Sequence, residues 1–127
     1  MSRITGRNTG PERRARSLLH RLGFRFSLKR TDLPGRPDIV LPRRRVAIFV
    51  NGCFWHRHNK CPLAVLPKTR PVFWLAKLNR NVERDRLNVQ ALKESGWRVL
   101  IIWECELENE LNVSRRLQAA LRRVSHA

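Results

Sequence analysis

Acid is scarce in this chain. Of its 127 residues only 10 are Asp or Glu, against 27 Lys and Arg, which leaves a formal charge of +17. A field of that sign draws polyanions, and nucleic acid is the commonest one in a cell. A generally basic, ribosomal-type protein is the blander reading of the same charge. Long apolar runs are missing too: none approaches the roughly 20 residues that cross a bilayer, so no membrane partner is expected. The start, "MSRITGRNTGPERR", lacks the apolar core of a secretory signal, and the expected setting is the cytoplasm. With only three cysteines in a reducing compartment, metal ligands or free thiols fit better than a disulfide frame. Repeats, low-complexity tails and linkers are absent as well. The expectation is one domain over residues 1–127, long enough to bury roughly two-thirds of its unfolded surface.

The basic residues that are present are dispersed, from Arg13, Arg14 and Arg16 through Arg43–Arg45 and Arg80, Arg84 and Arg86 to Arg115 and Arg116. The pattern between them alternates helix and strand. Thr9-Gly-Pro-Glu12 has the form of a capping box, opening a helix to about Leu22 that Gly23 stops. Phe24 to Leu28 alternates as a half-buried strand does. "DIVL" and "VAIFV", separated by "PRRR", predict a hairpin. "RPVFWLAKLNRNVERDRLNVQALKESG" has helical spacing, with a break or bend expected near Asn79 to Asn81 and an end at Gly96. "WRVLIIW" is the most apolar run and predicts a central strand covered on both faces. A last helix places Leu117, Leu121 and Val124 on one face. The order α-β-β-β-α-β-α predicts an α/β fold, a mixed central sheet flanked by helices.

Chemistry concentrates in "NGCFWHRHNKC", residues 51–61. Cys53, His58 and Cys61, with the distant Cys105, make three sulfurs and one imidazole, a full tetrahedral set for structural Zn²⁺. Closure requires the end of the strand before Cys105 to lie beside this loop. The alternative is that Cys53 and Cys105 are small buried hydrophobes and Cys61 is incidental. Such a closed site leaves His56 without a metal role, although histidine suits proton transfer near neutrality. Asp38, opening a strand in "RPD", offers a hard oxygen to Mg²⁺. Phosphodiester cleavage needs a metal-held phosphate, an activated water and charge stabilisation at the leaving oxygen. Asp38, His56 and a helical carboxylate such as Glu12 are candidates for that work, though the cap role explains Glu12 more simply.

These residues carry a resemblance. "LPGRPDIVLPRRRVAIFVNGCFWH", "FWLAKLNRNVERDR" and "GWRVLIIWEC" together resemble the very-short-patch repair (Vsr) DNA mismatch endonucleases, from about Glu12 to Cys105. The resemblance implies a restriction-endonuclease-like core with a structural zinc loop. It implies Mg²⁺-dependent nicking of one strand at thymine–guanine mismatches, which arise when 5-methylcytosine deaminates, and so the start of very short patch repair. It makes Asp38 the Mg²⁺ ligand, with the Val50 backbone carbonyl beside it, and His56 the general base. Glu12 becomes a supporting residue that orients His56. The zinc ligands fall on Cys53, His58, Cys61 and Cys105, in agreement with their spacing. Phe54, Trp55 and Trp74 match the aromatics that wedge into the base stack beside the mismatch. A monomer acting in the bacterial cytoplasm, at the nucleoid, is implied; any repair-pathway partner is left unspecified.

Two features depart from that family pattern. Val50-Asn51 stands where the family usually has a polar pair such as Thr-His. A backbone carbonyl contact survives Val50, whereas Asn51 supplies an amide in place of a cation. The sequence also begins close to Glu12, so the N-terminal arm that many relatives lay along DNA is expected to be short, with weaker affinity. Two other functions stay open on these residues: a zinc-stabilised DNA-binding module with lapsed catalysis, and a restriction-type nuclease acting on matched or modified DNA.

Overall fold

A computed structural model describes residues 10–28, 30–59 and 61–122. Thr9, the expected cap, and Val124, expected on the last helix, lie outside them. The elements run α1 (Gly10–Arg21), β1 (Ser27–Leu28), β2 (Ile39–Leu41), β3 (Val46–Asn51), α2 (Pro71–Glu94), β4 (Arg98–Trp103) and α3 (Glu110–Arg122). The sheet order is β1-β2-β3-β4; the first three strands pair antiparallel, and β3 and β4 pair parallel from Val46↔Arg98 to Asn51↔Trp103. The mixed sheet flanked by helices is thus the architecture the sequence pattern implied.

Local chemistry explains the joints. The hairpin between β2 and β3 turns on a 3-10 turn at Pro42–Arg44, closed by Arg45 in a left-handed conformation (φ 53°). A parallel partner for β3 cannot be reached by a tight turn, so the chain crosses over through α2. Pro71 starts α2 where its missing N–H costs nothing, and Gly96 at φ 92° ends it.

Three expectations change. First, α2 is continuous through Asn79–Asn81 for 24 residues. Asn is a weak helix former by only a few tenths of a kcal/mol, and the buried Leu78 and Leu92 anchor the helix on either side. Second, β1 shrinks to Ser27–Leu28, because the three-residue β2 offers a short ladder; Phe24 and Phe26 pack on the core instead. Third, β4 lies at the edge of the described sheet, not its centre. Its apolar run follows from its two covered faces. Leu100 and Ile102 join the cluster under α1 and α3, with Leu18, Leu19, Ile48, Leu117 and Leu121. Val99 joins Val40, Ala47, Leu92 and Trp97 on the α2 side. Hydrophobicity reports how many faces are covered; it does not report how many edges are paired.

Leu19 and Leu117 are fully buried in the larger cluster. Leu19→Ala or Leu117→Ala is therefore expected to cost about 2–5 kcal/mol in urea denaturation. Val72→Ala, at a position 80% exposed, should stay within about 0.5 kcal/mol.

Candidate functional site

Because β3 and β4 run parallel and in register, their C-terminal ends finish side by side at Asn51 and Trp103. The segments that leave the two strands therefore meet. The loop after β3 doubles back through His56 N–H to Gly52 O, Arg57 N–H to Phe54 O and His58 N–H to Cys53 O. The 3-10 turn Glu104–Glu108 after β4 reaches it from the other side, and Glu104 Oε1 accepts from Cys53 N–H at 3.3 Å. The His58 ring stacks flat on Trp103, with centroids 4.1 Å apart and 8° between planes.

This convergence gathers Cys53, His58, Cys61 and Cys105, whose ligand atoms all lie within 4.8 Å of one another. His58 Nδ1 sits 3.6 Å from Cys53 Sγ and 3.4 Å from Cys105 Sγ. A tetrahedral zinc with ordinary bond lengths would separate its sulfur and nitrogen ligands by about 3.6 Å. The donor set therefore fits such an ion. Burial pushes the Cys53 thiol up to about 12, with the neighbouring Cys105 and Cys61 thiols adding to the rise. Burial likewise raises Cys105. A cation that takes thiolates resolves the cost of crowding these groups. The buried-hydrophobe alternative accounts for Cys53 but not for four donors aimed at one point.

Beside this cluster opens a cavity of about 700 Å³, with Glu12, Asp38, Val50, Asn51, His56 and Asp85 in its walls. Five separate segments bring these groups together. Asp38, just before β2, accepts the Val50 N–H through Oδ2 at 2.8 Å, which fixes the carboxylate against the end of β3. Glu12, in the first turn of α1, is 5% exposed and lies 3.9 Å from the Arg16 guanidinium. Asn51 is 7% exposed. His56 Nδ1 is hydrogen-bonded to Asp85 Oδ2. An ionised carboxylate there accepts, so it selects the tautomer with the proton on Nδ1 whenever the ring is neutral.

Asp85 is a functional candidate that the sequence did not single out. The expected partner of His56 was Glu12; the hydrogen bond seen at Nδ1 comes from α2. In "NVERDR" nothing separates Asp85 from Glu83, which simply pairs with Arg86 one turn along. A subtler signal exists. Asn81, Arg84, Asp85 and Asn88 recur at helical spacing on one face, and the last three line the cavity.

The aromatics form one cluster at the cavity rim. Phe54, Trp55 and Trp74 meet edge to face with centroids 5.1, 5.7 and 6.0 Å apart. Trp55 remains 48% exposed. Phe73, which sequence reasoning also missed, packs edge-on against Trp74 at 5.4 Å and is capped by the Arg70 guanidinium.

The profile of a family described as DNA mismatch endonuclease Vsr matches residues 1–62. The chain is 50% identical over 107 residues to DNA mismatch endonuclease Vsr of Escherichia coli, covering 84% of this chain and 68% of that one. It is 47% identical over 121 residues to the type II nicking enzyme V.XorIIP of Xanthomonas oryzae, covering 95% and 88%. The chain belongs to the Vsr family. It is accordingly a DNA endonuclease, and DNA is its substrate class. The catalytic domain of the homing endonuclease I-Bth0305I shares the fold, with a TM-score of 0.61 at 24% identity over 87% of this chain and 91% of that one. Among the described residues no helix is long and apolar enough to cross a membrane.

The Cys/His cluster predicts one zinc per chain, by elemental analysis. Cys53→Ser and Cys105→Ser should each lower that content and the melting temperature together. Because the Cys53 proton must leave before the sulfur can bind, zinc affinity should rise with pH between about pH 6 and 8. Full zinc retention in both variants would contradict the assignment.

Proposed function

We propose that the chain nicks one strand of double-stranded DNA at a thymine–guanine mismatch, acting as a monomer in the bacterial cytoplasm to begin very short patch repair. The observation that carries this reading is a single loop holding both the exposed Trp55 and the cavity-facing His56. Mismatch recognition and hydrolysis need such groups at a fixed separation. The E. coli relative is named a DNA mismatch endonuclease, which supports the substrate.

Each residue then has a definable task. Trp55, backed by Phe54 and Trp74, inserts beside the mispaired step. Unstacking costs a few kcal/mol, and a mispair lowers that cost. His56, with Nδ1 held by Asp85, takes a proton from the attacking water at Nε2. Asp85 positions the ring, while Glu12 lines the same cavity and supports the site. Asp38 and the Val50 carbonyl would hold Mg²⁺; both are hard oxygen donors, already tied together by the Val50 N–H. That ion, when bound, supplies positive charge to the phosphate. Asn51 donates its amide hydrogen to a phosphate oxygen. Zn²⁺ at Cys53, His58, Cys61 and Cys105 would be structural, since four protein ligands leave no open position.

One observation favours a second reading. Asn51 is buried and uncharged where a cation would steady the leaving oxygen, as in a DNA-binding module whose catalysis has lapsed. Nicking assays on mismatched and matched duplexes of varied context, with Mg²⁺, separate the readings. Strand-specific nicking confined to the mismatch is expected; cutting of matched DNA would instead mark a restriction-type nuclease.

Asp38→Ala and His56→Ala are expected to lower nicking by about 10²–10⁴ while mismatch binding persists. Replacing Phe54 and Trp55 together with Ala should erase the preference for mismatched DNA. Asn51→His should leave turnover unchanged or raise it. Loss of binding in His56→Ala alongside normal nicking in Asp38→Ala would reverse these roles. Separately, the +17 charge predicts that affinity falls steeply with salt, because neutralised phosphates release counterions. A flat salt dependence in filter binding would contradict an electrostatic DNA partner.

A further inference from the structure

Arg84 stands apart from the other arginines of α2. Arg86, two residues along, is neutralised by Glu83 at 2.7 Å. Arg84 lines the cavity that holds Asp38 and His56, and among the described residues it takes part in no ion pair. Its Nη2 instead donates to Asn81 Oδ1 at 2.9 Å. The same Asn81 amide donates through Nδ2 to the Trp55 carbonyl at 3.3 Å. A neutral side chain thus holds the guanidinium in place without consuming its charge, and ties it to the backbone of the exposed tryptophan. A guanidinium at the cavity that forms no ion pair among the described residues keeps its charge available to an anion from outside.

We propose that Arg84 grips one phosphate of the cut strand, and that Asn81 sets the distance between that phosphate and the base step entered by Trp55. Resting on the nicking reading above, this assigns the register device of the same site. Guanidinium suits the task because its fork matches phosphate oxygens and its charge-assisted bonds are roughly twice as strong as neutral ones. Arg84 would touch substrate; Asn81 is a positioning residue that acts through it.

The test is a binding scan with the full chain on duplexes that contain one thymine–guanine mismatch. Each duplex carries a single neutral methylphosphonate in place of one phosphate near the mismatch. Arg84→Ala should weaken binding to the unmodified duplex roughly tenfold and reduce the salt slope by about 1. At one phosphate, the wild type should lose a similar factor on neutralisation while Arg84→Ala loses nothing more. Asn81→Ala should blur that position. Asn81→Asp, nearly the same shape, should be at least as damaging, because its carboxylate neutralises Arg84 and cannot donate to Trp55. A purely structural Asn81 would make the Asp variant the milder one, and that result would overturn its assigned role. An identical scan in wild type and Arg84→Ala would overturn the phosphate contact while leaving the nicking function intact. A wild-type scan flat at every position, together with no mismatch nicking, would bring down both.

Discussion

The site depends on the in-register parallel pairing of β3 with β4. It sets Asn51 beside Trp103, and from there the first metal-ligand loop and the turn carrying Cys105 have nowhere to go but toward each other. An antiparallel partner would place Cys105 at the far end of the strand, and a register shifted by one residue would turn its neighbours to the other face. The crossover helix α2, which a parallel pairing requires, then passes over the loop and delivers Asp85 to His56 and Asn81 to Trp55. One backbone decision therefore supplies the Cys/His cluster, the proposed base and the carboxylate bonded to it.

The loop works as a rigid mount. A short segment of irregular backbone would ordinarily sample many shapes, and its ordering costs about 1–2 kcal/mol per residue. Here the constraint comes from its ends: four convergent ligands on one side, the His58 ring stacked on Trp103 beneath, and the aromatic cluster with α2 above. Side chains only two or three positions apart can then face different tasks. Cys53 and His58 turn inward to the cluster, Trp55 projects outward, and His56 turns to the cavity. The mixture of metal ligands and bulky aromatics in one stretch reflects this division.

Much of this was legible in the residues, for identifiable reasons. Helix and strand order followed from periodicity and from Gly and Pro punctuation, and the metal cluster from residue type and spacing. The cavity residues Asp38 and His56 were named from chemistry and resemblance, and the fold brings them to one cavity with Glu12 and Asn51. The features that escaped depended on pairing in three dimensions. The edge position of β4 is invisible to hydrophobicity, since a parallel edge strand with both faces covered reads like a central one. The unbroken α2 escapes because Asn79 and Asn81 look like breakers, whereas the Asn81 side chain is spent on the Trp55 carbonyl and on Arg84 one turn along. Asp85 and Phe73 were missed because each lies in a helical run whose charge or hydrophobicity has an ordinary explanation.

If metal binding, mismatch recognition and cleavage share one mount, stepwise removal of zinc should disable them together. With Mg²⁺ in excess and a zinc-selective chelator titrated in, bound zinc, preference for a thymine–guanine duplex and single-turnover nicking would be measured in the same sample. All three should fall together with one midpoint. Nicking that keeps its rate and mismatch preference in protein stripped of zinc would contradict it.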